Sequence, residues 1–432
     1  MPVSTRSNLQ DDTKRLSKTK MRNPCLDTYS YEEREFYRRL DKKRKRCIVE
    51  NEEKVLANND TSTPLRFKIL LSDMNDDVKA IAMKKLEHLE DMCEDSGEYH
   101  KISSWIESLC SLPVGKYKKL PISRENKSDV IRTFLLNARS KMDEFIYGHK
   151  ETKDYILRLL AQWIINPGSK GLVIGVHGPM GCGKTSLIKD CICRVLNLPF
   201  AFIPLGGCQD SSYLEGHSFT YEGATWGKIV DILMKSKCMN PVMYFDELDK
   251  VSDSNKGQEI INVLMHITDQ SQNNVFHDKY FRDLEFDISK SLIIFSYNDD
   301  NTINPILKDR MIKIETQGYN VEDKIRILQK FIIPEILKEF SLKAGDLVFS
   351  EEVLRYIIVE KTEQEEGVRN VKRSIYDIIS HYNLSRLIAL DREHESLRTP
   401  FILSEDIVKK YMTRPMSTHQ IREREKHMSM YL

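Results

Sequence analysis

Residues 178–185 read GPMGCGKT, the Gly-x-x-x-x-Gly-Lys-Thr pattern of a phosphate-binding loop. Glycines in such a loop let backbone N–H groups surround an anion without clashes from Cβ atoms. Lys184 would reach the β- and γ-phosphates of a nucleotide, and the Thr185 hydroxyl would ligate Mg²⁺. The loop lies between an apolar run, GLVIGVHG, and a predicted helix, which favours binding of ATP over a structural glycine turn. The predicted nucleotide-binding residues of this loop are Gly178, Pro179, Met180, Gly181, Cys182, Gly183, Lys184, Thr185 and Ser186.

An acidic pair follows a second apolar run, in VMYFDE at 242–247. At the end of a buried strand, Asp246 could hold Mg²⁺ through water, and Glu247 could polarise an attacking water as a general base. The alternative is a strand that ends in two solvated acids, and the apolar run before the pair argues against it. The pair therefore predicts hydrolysis of ATP in addition to binding.

Two more polar residues lie where a hydrolysis site would need them. Asn298 ends the run LIIFSYN, and strands of parallel sheets present functional groups at their carboxyl ends, so its side chain could orient the attacking water. Arg310 follows a short predicted helix, and an arginine supplied across a subunit boundary can raise the rate by ~10³–10⁵. Taken alone, each is equally consistent with an ordinary surface residue.

Five short apolar runs predict the strands that position these residues. The runs are GLVIGVHG at 171–178, PFAFIPL at 199–205, PVMYFDE at 241–247, SLIIFSYN at 291–298 and MIKIET at 311–316. Helical segments separate most of them, which predicts a parallel sheet with helices on both faces. The pattern is mostly helical before this region, from residue 64, and after it, from 321 to about 411.

The composition is that of an ordinary globular chain of 432 residues, with 30% charged residues and a net charge of +1. The sequence has no apolar run of 18 residues and no apolar core near its start, so we expect neither a membrane span nor a secretory signal. Its nine cysteines form no C-x-x-C pair. These features predict an intracellular, reducing location, in the cytoplasm or the nucleus.

The first fifty residues are basic, with RR at 38–39 and KKRKR at 42–46 on one predicted charged helix over roughly 30–57. Such a cluster can act in nuclear import or bind nucleic acid. The alternative is a solvated, partly disordered basic arm, which we favour because the chain as a whole is nearly neutral.

Taken as an ordered set, these motifs resemble the ATPase module of Lon proteases, a branch of the AAA+ family. The resemblance covers residues from about 65 to 411. It rests on the phosphate loop and on FIYGHKETKDYIL, TYEGATWGKIVDILMKSK, YFDELDKVS, QNNVFHDKYFRDLEFDISKSLIIFSYND, LKDRMIKIETQGYNVEDKIRI and EEGVRNVKRSI.

The resemblance implies an α/β AAA+ P-loop core with a small C-terminal helical lid and an N-terminal helical segment. The expected parts are a basic leader at 1–63, a helical region at 64–145, the core at 146–320, the lid at 321–411 and a tail at 412–432.

The resemblance also assigns roles to single residues. Asn298 would be the first sensor. Arg310 would act on the nucleotide of a neighbouring subunit in a ring, and the resemblance implies that this ring is a hexamer. Arg369, in GVRN, would contact the phosphates from the lid. Tyr147 matches the segment that packs near the adenine, and Tyr221 matches the aromatic residue that grips polypeptide in the central pore.

Two departures from the family pattern affect these expectations. Cys182 stands where a small apolar residue is usual, and its thiol could be a redox-sensitive point. Trp226 stands where proline is usual, and packing is the favoured role for this ring.

The short tail and leader predict a peptidase-free ATPase that remodels or unfolds polypeptides. The alternatives are a scaffold or adaptor that binds ATP without turnover, or an ATPase that acts on nucleic acid through the basic arm. A separate peptidase or adaptor could dock on the ring.

Overall fold

The computed structural model describes residues 29–58, 63–93, 95–208, 210–362, 365–390 and 401–412. The chain divides into two compact units, the first formed by Met1–Ser72 and Lys79–Cys110 and the second by Asp73–Val78 and Ser111–Leu432. The predicted tail beyond residue 412 and the first 28 residues of the predicted leader lie outside the described residues.

The first unit is helical. Its elements are α1 Tyr31–Arg39, α2 Lys42–Asn58, α3 Leu65–Leu71, α4 Asp76–Glu90, which begins in the second unit, and α5 Gly97–Ser111. Trp105 on α5 is almost fully buried, and the ammonium of Lys85 on α4 lies 4.6 Å from the centre of its ring. The buried apolar residues of this unit also include Ile69, Leu86, Leu89, Ile102, Ile106 and Leu109.

The basic segment forms two helices, so the prediction of one charged helix over 30–57 is wrong. Ser30 and Glu33 form a capping box at the start of α1, and Leu40 takes an extended conformation that ends this helix. The Asp41 carboxylate then accepts a hydrogen bond from the Arg44 N–H at 2.7 Å, as an N-cap residue does. The aspartate in LDKKR therefore starts a new helix and does not continue the old one.

The second unit contains a five-stranded parallel sheet of order β2-β3-β4-β1-β5. Its strands are β1 Val173–His177, β2 Phe200–Pro204, β3 Val242–Asp246, β4 Leu292–Tyr297 and β5 Ile312–Glu315. All five predicted strands are confirmed, as is the α/β fold class. The central strands β1, β3 and β4 are almost entirely buried, which explains why their sequences are continuous apolar runs.

Helices cover this sheet and continue beyond it. They are α6 Ser128–Phe145, α7 Lys150–Ile165, α8 Lys184–Ser186, α9 Arg194–Leu196, α10 Ser212–Glu215, α11 Lys228–Ser236, α12 Asn255–Thr268 and α13 Pro305–Asp309. A π-helical segment, Leu187–Cys193, joins α8 to α9, and a 3₁₀ turn, Leu248–Lys250, follows β3.

The helix α6 packs into the core of the sheet. Its Ala138 and Met142 are buried in one cluster with Ile156 of α7 and with Ile174 and Tyr244 of the strands. The first compact unit accordingly ends near Cys110, whereas the predicted helical region continues to 145. The other predicted domain boundaries stay predictions.

The last part of the second unit, called the lid here, begins at residue 321. Its elements are α14 Val321–Ile327, a π-helical segment Leu328–Ile332, α15 Ile333–Glu339, β6 Leu347–Val348, α16 Glu351–Thr362, α17 Arg369–Leu390, β7 Phe401–Ile402 and α18 Glu405–Met412. These elements bury an apolar core of their own, in which Leu354, Ile375 and Ile379 are fully enclosed. Among the described residues, no helix has the length and apolarity that crossing a bilayer requires.

Candidate functional site

A cavity of about 730 Å³ lies beyond the carboxyl ends of β3 and β4, between the sheet and the lid. This is the position at which open parallel sheets bind ligands. Most of the predicted site residues line it, namely Tyr147, Met180, Gly181, Gly183, Lys184, Thr185, Ser186, Asp246, Glu247, Asn298 and Arg369. The predicted residues that do not line it are Gly178, Pro179, Cys182, Arg310 and Tyr221.

The phosphate loop turns directly from β1 into α8. Gly178 has φ of +153°, and a Cβ atom at this position would lie 2.1 Å from the Thr316 hydroxyl oxygen. Only glycine fits here, because no side-chain atom can approach another atom that closely. The helix then begins at Lys184, so the loop presents the first N–H groups of a helix to the cavity.

Lys184 links the two halves of the phosphate loop to the end of β4. Its ammonium donates to the carbonyls of Gly178 at 2.5 Å and Pro179 at 3.2 Å, and to Oδ1 of Asn298 at 2.5 Å. Burial lowers the pKa of Lys184, opposed by the nearby Cys182, Asp246 and Asp249. The structure therefore brings the predicted phosphate-binding lysine and the predicted first sensor into direct contact.

The Asp246 carboxylate is held by two hydroxyl groups that the sequence motifs did not identify. Tyr244 donates to Asp246 Oδ1 at 3.1 Å, and Ser296 on the neighbouring strand donates to the same oxygen. The Tyr244 oxygen also lies 3.2 Å from Thr185 Oγ1. The signal in the sequence is the strand period of two, which puts Tyr244 and Asp246 on one face of β3.

Glu247 occupies a strained backbone conformation next to this carboxylate. Its φ of 60° and ψ of 48° are in the left-handed region, which costs a residue other than glycine about 1–3 kcal/mol. Its N–H donates to the Ser296 hydroxyl at 3.4 Å. Across from it, a Cβ atom on Gly206 would lie 2.5 Å from Glu247 Oε2, so the glycine after β2 leaves room for the carboxylate.

The lid contacts the phosphate loop through the segment that starts α17. The Val368 N–H donates to the carbonyl of Gly181 at 3.2 Å, and a Cβ atom on Gly367 would lie 2.3 Å from the Met180 carbonyl oxygen. Arg369, the first residue of α17, lies beside this contact and lines the cavity. The lid and the phosphate loop are therefore in direct contact.

The carbonyl group of Cys182 contacts two residues outside the phosphate loop, one of which lies just before the lid. The Tyr319 hydroxyl donates to this oxygen at 3.1 Å, and His149 Nε2 lies 3.1 Å from it and 2.7 Å from the Tyr319 hydroxyl. Burial lowers the pKa of His149 and raises that of the Cys182 thiol to about 11. Because reactivity requires the thiolate, these surroundings argue against Cys182 as a redox-sensitive point.

Tyr147 lies at the lid side of the cavity. Its hydroxyl donates to Asp323 Oδ1 at 3.0 Å and accepts a hydrogen bond from Arg326 at 3.1 Å. Both partners belong to α14, so the tyrosine ties the segment before α7 to the first helix of the lid. The predicted contact with adenine stays a prediction.

Arg310 and Tyr221 lie outside the cavity. The Arg310 guanidinium forms an ion pair with Asp269 at 2.9 Å and also donates to the Met265 carbonyl. Tyr221 is 67% exposed, on a loop between α10 and α11. Trp226, at the end of the same loop, packs edge-on against Tyr280 with 5.8 Å between the ring centres, which confirms its predicted packing role.

The sheet order, the phosphate loop and the acidic end of β3 define a P-loop ATPase of the AAA+ class. A family model described as "ATPase family associated with various cellular activities (AAA)" matches residues 174–319.

Curated relatives specify the class further. The Lon protease homolog of Acanthamoeba polyphaga mimivirus is 38% identical over 301 residues, which cover 69% of this chain and 28% of that protein. The Lon protease of Cytophaga hutchinsonii is 35% identical over 327 residues, 76% of this chain and 38% of that protein. The Lon protease of Koribacter versatilis is 34% identical over 392 residues, 90% of this chain and 45% of that protein. The chain thus contains a Lon-like AAA+ ATPase module and spans less than half the length of each of these relatives.

Proposed function

We propose that this chain binds ATP with Mg²⁺, hydrolyses the ATP and uses the energy to remodel or unfold polypeptides. The observation that carries the proposal is the convergence of Lys184, Asn298, Asp246 and Glu247 in one cavity, with Arg369 of the lid on its wall. They come from the start of α8, the carboxyl ends of β3 and β4 and the start of α17, and their meeting supports an active site over a set of unrelated surface residues.

The side chains at the end of β3 suit a magnesium ion. Hydroxyl and carboxylate oxygens from Thr185 and Asp246 are the ligands that Mg²⁺ prefers, and Asp246 is held in place by Tyr244 and Ser296. Thr185 and Asp246 would hold the ion, which would supply positive charge to offset the charge of the phosphates. Lys184 would bind the same phosphates, since its ammonium already lies among the loop carbonyls.

Glu247 is the proposed general base, and Asn298 would orient the attacking water. The left-handed backbone of Glu247 supports this role, because strain of this kind collects at functional sites. Arg369 would sense the phosphates through the start of α17, so hydrolysis would change the contact between the lid and the phosphate loop.

A ring is proposed for two reasons. Arg310 lies outside the cavity of its own chain, which is consistent with action on the nucleotide of a neighbouring subunit. Tyr221 is exposed on a loop beside Gly223, which has φ of +72° and open space around it. An exposed aromatic ring on such a loop can grip polypeptides of varied sequence by apolar contact, and a ring would bring several of them to one pore.

Steady-state ATPase activity tests the proposal, measured with and without an unfolded protein such as reduced, carboxymethylated lactalbumin. We expect turnover that rises with unfolded protein. Glu247→Gln should bind ATP and lose turnover by roughly 10²–10⁴-fold, the usual contribution of a general base. The matched control is Glu285→Gln at an exposed position. Turnover retained in Glu247→Gln would remove the base role, and ATP binding without turnover in the wild type would favour the scaffold.

The alternative that the chain acts on nucleic acid through its basic arm can be tested directly. Part of the charge of the basic arm is already paired, because Arg39 and Arg46 bond to Glu35 and Glu50 at 2.8 and 2.9 Å. A salt-sensitive gel shift that is lost on deletion of residues 1–50 would favour this alternative.

The absence of peptidase activity is likewise proposed. Incubation of the chain with ATP and fluorescein-labelled casein should release no acid-soluble fluorescence. Release would show a peptidase in the chain.

A further inference from the structure

We propose that Tyr244 is a positioning residue for the magnesium site, through a hydrogen-bond relay from Thr185 to Asp246. The inference rests on the proposed function, since it concerns the same cavity. Neither the phosphate-loop motif nor the acidic pair contains this tyrosine.

The sheet places Tyr244 between the two proposed metal ligands. Tyr244 and Asp246 lie two residues apart on β3 and therefore face the same side, toward the start of α8. The phenol oxygen lies 3.1 Å from Asp246 Oδ1 and 3.2 Å from Thr185 Oγ1. The side chain of Tyr244 is fully buried, and its ring packs 5.8 Å from the ring of Phe200. The hydroxyl is thus held at a fixed point.

The direction of the relay follows from the number of protons. An ionised carboxylate only accepts hydrogen bonds, so the single phenol proton of Tyr244 points to Asp246. The phenol oxygen must then accept the hydroxyl proton of Thr185.

The relay has a consequence for the metal. A hydroxyl group ligates a cation through a lone pair, and it can do so only when its proton points elsewhere. With its proton directed to Tyr244, Thr185 presents its lone pairs to the cavity. The same phenol orients the Asp246 carboxylate. One side chain therefore prepares both ligands, as partners of metal ligands commonly do.

The test is the effect of Mg²⁺ on nucleotide affinity in the full chain. The dissociation constant of a fluorescent ATP analogue is measured with saturating Mg²⁺ and with EDTA, and the ratio of the two is the metal coupling. Tyr244→Phe removes the hydroxyl and keeps the ring. We expect this substitution to lower the metal coupling by roughly 10-fold, within the range seen for partners of metal ligands. The dissociation constant measured in EDTA should change little.

Tyr382→Phe is the matched control. This tyrosine is also fully buried, and its hydroxyl has no hydrogen-bond partner in the described part of the chain. Its loss should leave the metal coupling unchanged. Ser296→Ala provides a second comparison, because Ser296 hydrogen-bonds to Asp246 and to the Tyr244 phenol, whereas the contact between Thr185 and Tyr244 does not include its side chain. We expect a smaller decrease in coupling for this variant.

The outcomes separate the inference from the proposed function. Unchanged coupling in Tyr244→Phe, beside a wild type that binds nucleotide more tightly with Mg²⁺, would overturn the relay and leave the ATPase proposal in place. A wild type that binds no nucleotide would overturn both. If circular dichroism shows that Tyr244→Phe is unfolded, Tyr244→Met takes its place, because a flexible apolar chain fills the same space.

Discussion

The ammonium of Lys184 donates a hydrogen bond to Oδ1 of Asn298 at 2.5 Å, which joins the phosphate loop to the end of β4. The same ammonium also lies within 3.5 Å of the carbonyl oxygens of Gly178, Pro179 and Tyr297. A lysine has three protons to donate, so a phosphate oxygen that binds Lys184 must replace one of these four acceptors. We propose that release of Asn298 would free its amide to orient water, and nucleotide binding would then be coupled to assembly of the hydrolysis site.

Asn298→Ala is therefore expected to lower the catalytic rate more than the affinity for ATP. Loss of one well-placed polar group of this kind costs about 10²–10³ in kcat. Affinity should change little, because Lys184 keeps its loop partners. Phosphate release and titration with a fluorescent nucleotide measure the two quantities. Asn301→Ala, an exposed asparagine in the same loop, is the control. An equal loss of affinity would show that Asn298 mainly supports binding.

Arg310→Ala tests action across a subunit boundary. The expected result is a decrease in turnover of about 10³-fold with little change in ATP affinity. Asp269→Asn is the informative control, because it removes the ion pair of Arg310 and retains the guanidinium. If Arg310 acts on a neighbour, Asp269→Asn should keep most of the turnover. Equal losses in both variants would indicate that the pair only supports α12.

Mixed assemblies make the same prediction more specific. Arg310→Ala chains combined with Glu247→Gln chains should regain some turnover, because a subunit with an intact Glu247 can then receive Arg310 from its neighbour. No regain at any mixing ratio would argue against the ring.

Sequence alone predicted the sheet and most of the cavity, because short apolar runs bounded by turn residues carry a strong signal. It also predicted that Lys184 and Asp246 belong to one site, and both line the cavity, whereas their roles stay predictions. It did not identify Tyr244 or Ser296, since their contacts with Asp246 and Thr185 depend on which strands are adjacent. The strand order β2-β3-β4-β1-β5 places residues that are about fifty positions apart side by side, and no local pattern encodes that order.

For α6 the sequence predicted the helix but not the core into which it packs. Its amphipathic pattern predicts a helix correctly. The pattern does not show against which apolar core the helix packs. In the structure Met142 is fully buried against the helices that cover the sheet, so this helix belongs with the ATPase core. The break at Leu40 was also missed, because a run of charged residues conceals the N-cap role of Asp41.

Tyr221→Ala is expected to reduce the response to polypeptide. The ratio of ATPase turnover with and without unfolded protein should fall toward one, because the exposed ring is the proposed contact with substrate. Tyr221→Phe retains the ring and should retain most of the stimulation. Equal stimulation in the alanine variant and the wild type would remove Tyr221 from the proposed pore loop.

A pH-dependent contribution to stability is predicted from Asp278, which anchors the end of the Tyr221 loop. Its carboxylate accepts hydrogen bonds from the N–H groups of Gly227 at 2.8 Å and Tyr280 at 2.9 Å. Burial nevertheless raises its pKa to about 6, opposed by these bonds and reinforced slightly by Glu215. In the unfolded chain the pKa of an aspartate is about 3.9. Between these values the folded state binds more protons than the unfolded state.

The sign of the effect follows directly. Because the folded state holds the extra proton, the contribution of Asp278 to the free energy of unfolding decreases as the pH rises from about 4 to about 6, by about 3 kcal/mol in total. Asp278→Asn does not titrate, so its melting temperature should improve relative to the wild type across this range and stay parallel to it from pH 7 to 8. Asp283→Asn, at an exposed position nearby, should follow the wild type throughout. A difference between Asp278→Asn and the wild type that stays constant from pH 4 to 7 would show that Asp278 has an ordinary pKa.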